Sequence, residues 1–363
     1  MEVRSKAPVR ISFGGGGTDV SPYPEERGGC VVSTTINKFV WSTLTLRKDK
    51  EICIESYDYM RSLKFRSMDE VAYGDELDLI KAVLKKMNDT SQGVNIFARS
   101  DVPPKSGIGG SASAFVSIIG LFNHIRRKKM NSYEIAELAY HLEREELKNK
   151  GGRQDQYASV FGGLNFIEFR GKDNVRVVPL KISEDSYLEL EKNLVLAYVS
   201  KRAESGDILS EQIKSYSKKE KEVVGALDAV KEIALEMKDA LMSGDLNRFG
   251  ELLHKGWESK KKFNPMITTS FIDDLYALAR KYGAVGGKIT GAGGGGHMVF
   301  YCEPNKEQVV KEKLKAAGAN IIDFSFDRNG LQTWKIGGVF PLGSTPTSHR
   351  ETRTDLIRHK RGA

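Results

Sequence analysis

Apolar and polar residues alternate at the start of the chain and then give way to glycine. Val3, Val9 and Phe13 belong to an apolar series over 3–13, and this spacing places one face of a β-strand in a core. Alternation of this kind predicts strands, and an apolar repeat of three to four residues predicts helices. In the first half these criteria predict strands over 30–36, 39–46, 52–57, 94–99, 164–169 and 175–180, and helices over 77–87, 111–124 and 132–148.

The second half of the chain is predicted to be helical at first and mixed afterwards. Over 205–260 one helix face is apolar, and Gly244 with Asp245 interrupts the pattern as a helix end followed by a new cap would. Residues 181–193 are charged and irregular, so the domain boundary is placed there. Further predictions are strands over 195–199, 298–302, 320–326 and 331–336, and a helix over 305–317.

The predicted class is therefore α+β, with two domains at 1–185 and 186–340. Residues 341–363 contain few apolar side chains, and we expect a disordered tail. A chain of 363 residues is long enough for two separate cores.

Composition and charge exclude several classes of protein. Forty per cent of residues are hydrophobic, no apolar run is long enough to cross a membrane, and the N-terminus has no signal-peptide core. A net charge of +8 suits anionic small molecules and does not by itself indicate nucleic acid. Cys30, Cys53 and Cys302 lack metal spacing and are interpreted as buried thiols in a reducing compartment. We expect a cytoplasmic protein without membrane or nucleic-acid partners; its oligomeric state stays open, a homodimer included.

A glycine- and serine-rich loop lies between the strand over 94–99 and the helix over 111–124. Glycine lets the backbone approach a ligand closely, and the unpaired N–H groups of the helix that follows attract anions. The sequence therefore predicts a phosphate-binding loop; a plain turn capped by Ser111 is the alternative. The loop lacks the lysine of a Walker A sequence. Its residues are Pro104, Lys105, Ser106, Gly107, Ile108, Gly109, Gly110, Ser111, Ala112 and Ser113.

A second glycine run follows the first strand. Consecutive glycines remove every side chain where the strand meets a loop, so a ligand could lie on the backbone there. Asp19 adds a carboxylate suited to sugar hydroxyls, whereas a flexible turn ending in a helix cap is the alternative. The predicted ligand contacts are Gly15, Gly16, Gly17, Thr18 and Asp19.

Two carboxylates and a third glycine run complete the candidate chemistry. Considered alone, Glu143 is a solvated helix carboxylate, and Asp155 is as consistent with a helix cap as with a catalytic group. The third run resembles a dinucleotide fingerprint, but a strand follows it where the fingerprint needs a helix. It comprises Lys288, Gly291, Ala292, Gly293 and Gly294.

These motifs together resemble those of the GHMP kinases. The loop Pro104–Ser113 is similar to the central motif of that family, the run from Lys288 to its third motif, and the stretch from Ala7 through Arg10 to its first. Arg10, the Gly-Gly-Gly-Thr-Asp run and the segment Gly151–Gln156 resemble the D-glycero-D-manno-heptose 7-phosphate kinase branch. Mevalonate kinases carry lysine at the position of Arg10, which disfavours mevalonate as the substrate. The resemblance covers about residues 6–336.

The resemblance implies a fold and a set of roles. It implies a ribosomal-protein-S5-like α/β domain followed by a ferredoxin-like α+β domain, with ATP and Mg²⁺ as cofactors. Ser111 and Glu143 would hold the metal, Asp155 would activate the acceptor hydroxyl, and Arg10 would neutralise charge on the transferring phosphoryl group. Gly15–Asp19 and Gly291–Gly294 would close over the sugar.

The acceptor itself stays open at this stage. The first hypothesis is phosphorylation of the anomeric hydroxyl of a heptose 7-phosphate, and the second is phosphorylation of an unphosphorylated hexose of the fucose or galactose type. Arg153 or Lys288 would bind the distal phosphate in the first case; a solvated surface position is the alternative for each. A third hypothesis is a catalytically inactive sensor, which would be expected to lack Asp155 or Glu143.

Overall fold

The structure is a computed structural model that describes residues 1–88, 92–200 and 205–336. The predicted disordered tail at 341–363 lies outside the described residues. Within the described part, no helix is long and apolar enough to cross a membrane.

The strands form two sheets. In chain order they are β1 (Glu2–Gly14), β2 (Gly29–Leu46), β3 (Ile52–Ser56), β4 (Arg61–Phe65), β5 (Val94–Ser100), β6 (Leu164–Arg170), β7 (Asn174–Pro179), β8 (Leu194–Ser200), β9 (Ala284–Ile289), β10 (Gly296–Cys302), β11 (Asn320–Ile322) and β12 (Gln332–Ile336). The first sheet has eight strands in the order β12-β1-β2-β5-β3-β4, with β6 pairing both β2 and β7. The second has four strands in the order β11-β8-β10-β9.

The helices separate into two groups that follow the sheets. They are α1 (Tyr23–Arg27), α2 (Asp78–Met87), α3 (Gly110–Ile125), α4 (Ser132–His141), α5 (Gln154–Phe161), α6 (Glu184–Asn193), α7 (Ser205–Ser217), α8 (Lys221–Ser243), α9 (Leu246–Lys260), α10 (Ser270–Lys281) and α11 (Glu307–Ala316). A π-helical turn, Leu142–Glu146, directly continues α4.

The first sheet buries one face against α2, α3, α4 and α5. Helix α3 is apolar on nearly all sides, and Phe115, Ile119 and Phe122 are almost completely buried in this core. Because α3 is enclosed by the sheet and by neighbouring helices, its N-terminus is held firmly at the edge of the layer. The phosphate loop leads into that end.

A second core joins the two sheets. Val9, Ile11 and Phe13 on β1 pack in one cluster with residues of α8 and α9, and the Phe13 ring meets Phe249 edge-on with 5.2 Å between centroids. Burial of aromatic and branched side chains on this scale fixes the relative position of packed layers. The cleft between the two layers therefore has rigid walls.

Most of the predicted elements are present within a few residues, but three predictions were wrong. Residues 181–193 hold α6, capped by the Ser183 hydroxyl, which accepts a hydrogen bond from the Ser186 N–H at 3.1 Å. Most residues of this helix are exposed, so its sequence contains too few apolar residues to show a helical repeat. The strand over 320–326 is shortened to β11. Strand β12 does not complete the second sheet but pairs with β1, a partner more than 300 positions away.

Other elements were missed by the sequence patterns. The strands β4 and β9 and the helices α1, α5 and α10 were not predicted. Glycines at 286 and 287 dilute the apolar pattern of β9, and glycines at 151 and 152 immediately precede α5. The thiols were predicted to be buried; Cys30 and Cys302 are, whereas Cys53 is partly exposed.

Candidate active site

A cavity of about 750 Å³ opens between the two layers, and most of the sequence-predicted site residues line it. One end is formed by the phosphate loop, the turn after β3 and the start of α2, and we call it the donor end because the sequence analysis expects ATP phosphates at this loop. The other end is formed by the Gly16–Gly17 turn, Lys260 and the Gly291 turn, and we call it the acceptor end because the sequence analysis expects the sugar there. Arg10, Glu143 and Asp155 also line it.

The phosphate loop has the backbone of an anion-binding site. Gly107 and Gly109 have φ values of +83° and +81°, a region that residues with a Cβ rarely adopt. Gly109 caps α3 without any side-chain hydrogen bond, so Ser111 is not the cap that the alternative interpretation required. The first turn of α3 lines the cavity through Gly110, Ser111 and Ala112, so its N–H groups can bind phosphate there.

The phosphate loop is fixed by hydrogen bonds of Ser113 on one side and by close approach of the second layer on the other. The Ser113 hydroxyl donates to the carbonyl oxygens of Pro8 at 2.8 Å and Gly109 at 3.1 Å, and Ile108 is fully buried. A Cβ on Gly107 would lie 3.0 Å from the Thr290 carbonyl oxygen. Ser113 and Ile108 thus shape the loop, whereas Ser111 and Ala112 line the cavity.

Arg10 and Asp155 form a buried ion pair at the mouth of this loop. The guanidinium Nε lies 2.8 Å and Nη2 lies 2.6 Å from Oδ1 of Asp155, and Nη1 donates to the Gly107 carbonyl oxygen at 2.9 Å. The Arg10 side chain is 3% exposed and the Asp155 side chain 21% exposed. Asp155 stands in the first turn of α5 and is not its N-cap. A charged fork between a carboxylate and a phosphate loop can orient both during phosphoryl transfer.

Glu143 offers a second carboxylate from the π-helical turn. It is 3% exposed, its Oε2 accepts a hydrogen bond from Nε2 of Gln156 at 2.7 Å, and Nη1 of Arg144 lies 3.4 Å from its Oε1. These contacts fix the orientation of the carboxylate. A π-helical turn shifts side-chain direction relative to an α-helix and is frequent at functional sites.

The donor set of Glu143 and Ser111 fits Mg²⁺. Both residues line the cavity, and both offer the oxygen ligands that this ion prefers. In the described residues no group of three or more His, Cys, Asp and Glu side chains could hold a metal by itself. Mg²⁺ commonly binds through one or two protein oxygens with substrate phosphates and water, so the pair is sufficient only with nucleotide present.

Asp19 is buried at the acceptor end and is held by three hydrogen bonds. Its Oδ1 accepts from the Gly17 N–H at 3.1 Å and from Nε2 of Gln154 at 3.0 Å, and its Oδ2 accepts from the Gln154 N–H at 3.1 Å. A Cβ on Gly152 would lie 1.9 Å from Oδ2, so glycine is required there. Asp19 does not cap α1, whose N-cap is Pro22.

The rest of the first glycine run divides into lining and scaffolding positions. Gly16 and Gly17 line the cavity together with Asp19. Thr18 is fully buried, and its hydroxyl donates to the carbonyl oxygens of Gly15 at 2.8 Å and Cys30 at 3.0 Å. A Cβ on Gly15 would lie 1.8 Å from the Cys30 carbonyl oxygen. Gly15 and Thr18 thus stabilise the turn and do not face a ligand.

The two cations expected to bind a distal phosphate do not line the cavity. Nη1 of Arg153 lies 3.2 Å from Oε1 of Glu137, and its guanidinium carbon lies 4.3 Å from the centre of the Tyr140 ring. The Lys288 ammonium is buried and donates to the Ser12 carbonyl oxygen at 2.8 Å. Their expected contact with substrate is therefore corrected: the backbone of α5 directs Arg153 toward α4, and β9 directs Lys288 into the layer junction.

The third glycine run also contributes only in part. Gly291 and Ala292 line the cavity. A Cβ on Gly293 would lie 2.9 Å from Cα of Ile267, and one on Gly294 would lie 2.8 Å from Cδ1 of Ile208. Gly293 and Gly294 therefore serve close packing of the turn, and the expectation of ligand contact is not met there.

Several cavity residues escaped the sequence analysis. Lys260 and Gln212 belong to helices for which the sequence analysis predicted only a role in the core. Gln154 is the neighbour of Asp155 and was not predicted as a site residue. At the donor end the missed residues are Ser56, Asp58, Tyr59, Asp75, Glu76, Leu77 and Asp78. A local pattern could have flagged Gln154, since it lies within the motif, but not the others, which only the fold brings to the cavity.

Comparisons with known proteins identify the family of the chain. The family model for the GHMP kinases N terminal domain matches residues 78–163, and the model for GHMP kinases C terminal matches residues 237–320. The D-glycero-alpha-D-manno-heptose 7-phosphate kinase of Campylobacter jejuni is 34% identical over 92% of this chain and 99% of that enzyme.

Solved structures give the same result. A D-glycero-D-manno-heptose 1-phosphate kinase from Bacteroides thetaiotaomicron superposes with a TM-score of 0.78 at 32% identity, covering 93% of this chain and all of that one. Lactococcus lactis galactokinase, solved with galactose, shares the fold with a TM-score of 0.73 at 21% identity, covering 92% of this chain and 95% of that one. The chain therefore belongs to the GHMP kinase family, in which it is an ATP-dependent sugar kinase similar to the heptose phosphate kinases.

Proposed function

We propose that the enzyme transfers the γ-phosphoryl group of ATP to the anomeric hydroxyl of D-glycero-D-manno-heptose 7-phosphate, giving the 1,7-bisphosphate and ADP. The observation that carries the proposal is the fork of Arg10 between Asp155 and the Gly107 carbonyl oxygen. It joins a candidate base to the loop that would bind the donor phosphates. The substrate is suggested by the Campylobacter relative, whose name specifies a heptose 7-phosphate.

Asp155 is proposed to take the proton of the anomeric hydroxyl while the oxygen of that hydroxyl attacks the γ-phosphorus. The bond from that phosphorus to the bridging oxygen of ADP then breaks, and ADP leaves with the negative charge. The arginine side chain keeps its positive charge, so Arg10 can orient the Asp155 carboxylate and oppose charge on the transferring group. Both side chains are held before substrate binds, which lowers the reorganisation needed in the transition state.

The donor end is proposed to hold ATP through main-chain N–H groups of Gly110, Ser111 and Ala112. The nucleoside would extend toward the turn after β3 and the start of α2, which line the far side of the cavity. Bound Mg²⁺, held by Ser111 and Glu143, would supply charge neutralisation between the phosphates. This arrangement places the phosphate chain between a helix N-terminus and Arg10.

Asp19 is proposed to orient the sugar. Its Oδ2 keeps acceptor capacity beyond the single Gln154 N–H, so a sugar hydroxyl can donate to it. The ATP requirement and the free thiols of Cys30, Cys53 and Cys302 support a cytoplasmic setting for this reaction.

A second candidate acceptor is an unphosphorylated hexose. The observation in its favour is that neither Arg153 nor Lys288 lines the cavity. If a distal phosphate were absent from the substrate, neither cation would be needed there.

The test is a panel of sugars and sugar phosphates assayed with ATP, followed by phosphorus NMR of the product. The expected result is the highest kcat/KM for the heptose 7-phosphate and a new anomeric phosphate signal. A product phosphorylated at another carbon, or a higher kcat/KM for fucose or galactose, would overturn the proposal.

A further inference from the structure

Lys260, at the end of α9, reaches the acceptor end of the cavity from the second layer. It is 5% exposed, it lines the cavity, and its ammonium donates to the Gly291 carbonyl oxygen. Gly291 belongs to the turn that borders the same end, and Gln212 nearby donates to the Gly17 carbonyl oxygen at 3.3 Å. A basic group is therefore built into the wall that faces the sugar.

The charges around Lys260 indicate a positive potential in this wall. Lys288 is buried behind the Ser12 backbone, and its pKa is lowered well below the ordinary value by burial and then by the positive charges of Lys260 and Arg10, with Asp19 opposing. The two positive charges that act on Lys288 are those of Lys260 and Arg10, and both residues line the cavity, where they would stabilise a bound anion. A phosphate ester is such an anion.

The other basic residues that line the cavity come from the first layer, and they are Arg10, Lys105, Arg144, Lys148 and Lys150. Arg10 is engaged with Asp155 and Gly107. Arg144 donates to the carbonyl oxygens of Lys150 and Gly152, both at 3.3 Å, and lies beside Glu143. Within the described residues that line the cavity, Lys260 is the basic side chain supplied by the second layer.

We infer that Lys260 forms the subsite for a phosphate ester of the sugar substrate, one that is attached to a carbon other than the anomeric carbon. The inference rests on the proposed function and takes over the role expected of Arg153 and Lys288. A dianionic phosphate would accept hydrogen bonds from the Lys260 ammonium, with main-chain N–H groups of the Gly291 turn nearby. An unphosphorylated sugar would gain nothing from this contact.

The test is Lys260→Gln, assayed with the heptose 7-phosphate, with the same heptose lacking its phosphate, and with ATP varied. Loss of one charge-assisted contact should raise KM for the phosphorylated sugar roughly 10- to 150-fold. KM for ATP and KM for the unphosphorylated heptose should stay within about twofold, because neither would contact Lys260. Lys255→Gln is the matched control, since Lys255 stands exposed on the same helix.

Several outcomes would overturn the subsite. An equal rise in KM for both sugars would mean that Lys260 shapes the cavity, and a rise in KM for ATP alone would assign it to the donor phosphates. If Lys260→Gln does not fold, Lys260→Met is the second variant. The wild-type enzyme provides a further measurement: its affinity for the phosphorylated heptose should exceed that for the unphosphorylated one at least about tenfold, and equal affinities contradict the inference.

The product analysis of the proposed function separates the two failures. If NMR finds the anomeric phosphate but Lys260→Gln leaves KM unchanged, only the subsite is wrong. If the product carries its new phosphate elsewhere, the proposed reaction is wrong whatever Lys260 does.

Discussion

The donor and acceptor ends of the cavity are built in different ways. The donor end relies on main-chain groups of the phosphate loop and of α3, placed by Gly107 and Gly109 in a left-handed conformation. The acceptor end relies on buried side chains, with Asp19, Gln212 and Lys260 arriving from three separate parts of the chain. Main-chain recognition suits a phosphate chain shared by all reactions of a kinase, whereas side-chain recognition can discriminate among sugars.

This difference indicates at which end of the cavity substitutions can change substrate specificity. At the donor end, Gly107 and Gly109 have positive φ values that residues with a Cβ rarely adopt, so the backbone restricts which substitutions are tolerated. Under the proposed function, a single cation or amide at the acceptor end would decide which hydroxyl or phosphate is bound. The two ends meet at Arg10 and Asp155, whose hydrogen bonds reach Gly107.

The largest effect is expected where the two ends meet. Asp155→Asn should lower kcat about 10²- to 10⁴-fold, because the amide cannot take the hydroxyl proton. The dissociation constant for ATP should stay within about threefold, since phosphate binding uses the main chain of the loop. Steady-state kinetics and calorimetric titration with ATP give the two values.

The control for this variant is Asp173→Asn in the exposed turn between β6 and β7. It makes the same chemical change far from the cavity and should retain full activity. Retention of more than about a tenth of kcat by Asp155→Asn would contradict its role as a base.

A smaller effect is expected at the donor end. Glu143→Gln and Ser111→Ala should each raise the Mg²⁺ concentration for half-maximal activity about tenfold, because each change weakens or removes an oxygen ligand worth about 1.4 kcal/mol. Activity measured over a range of Mg²⁺ concentrations tests this.

Glu145→Gln is the matched control, because Glu145 lies on the same π-helical turn but is exposed beside His141. It should leave the Mg²⁺ dependence unchanged. If the wild type, Glu143→Gln and Ser111→Ala show the same dependence of activity on Mg²⁺ concentration, the assignment of the metal to Glu143 and Ser111 is contradicted.

The smallest effect concerns Lys288 and the stability of the acceptor end. Burial lowers the pKa of Lys288 well below 10.5, so between its lowered pKa and 10.5 the unfolded chain binds more protons than the folded one. Stability contributed by this group therefore rises with pH across that window, by at most about 1.4 kcal/mol per pH unit.

Lys288→Met should lack this contribution. Urea unfolding of both proteins across the window should give a stability difference that shifts toward the wild type as pH rises. A constant difference at every pH would show that Lys288 keeps an ordinary pKa, and the positive potential inferred at this end would then lose its support.

The sequence alone determined the glycine-based features of this protein. Glycine and serine signals are local, so the phosphate loop, its strand and α3 were predicted within a few residues. Resemblance to the family then brought Arg10, Glu143 and Asp155 together, and the structure places all three around one cavity. How these residues act in the reaction stays a prediction.

Only the tertiary structure decided which buried cation lines the cavity at its acceptor end. Arg153 stands two positions from Asp155, yet successive helical residues point in different directions, and Arg153 meets Glu137 instead. Lys260 and Asp19 are remote in sequence and reach the same end of the cavity only because α9 packs near β1 and β9. Side-chain direction and long-range packing depend on contacts between distant elements, which no local pattern of residues records.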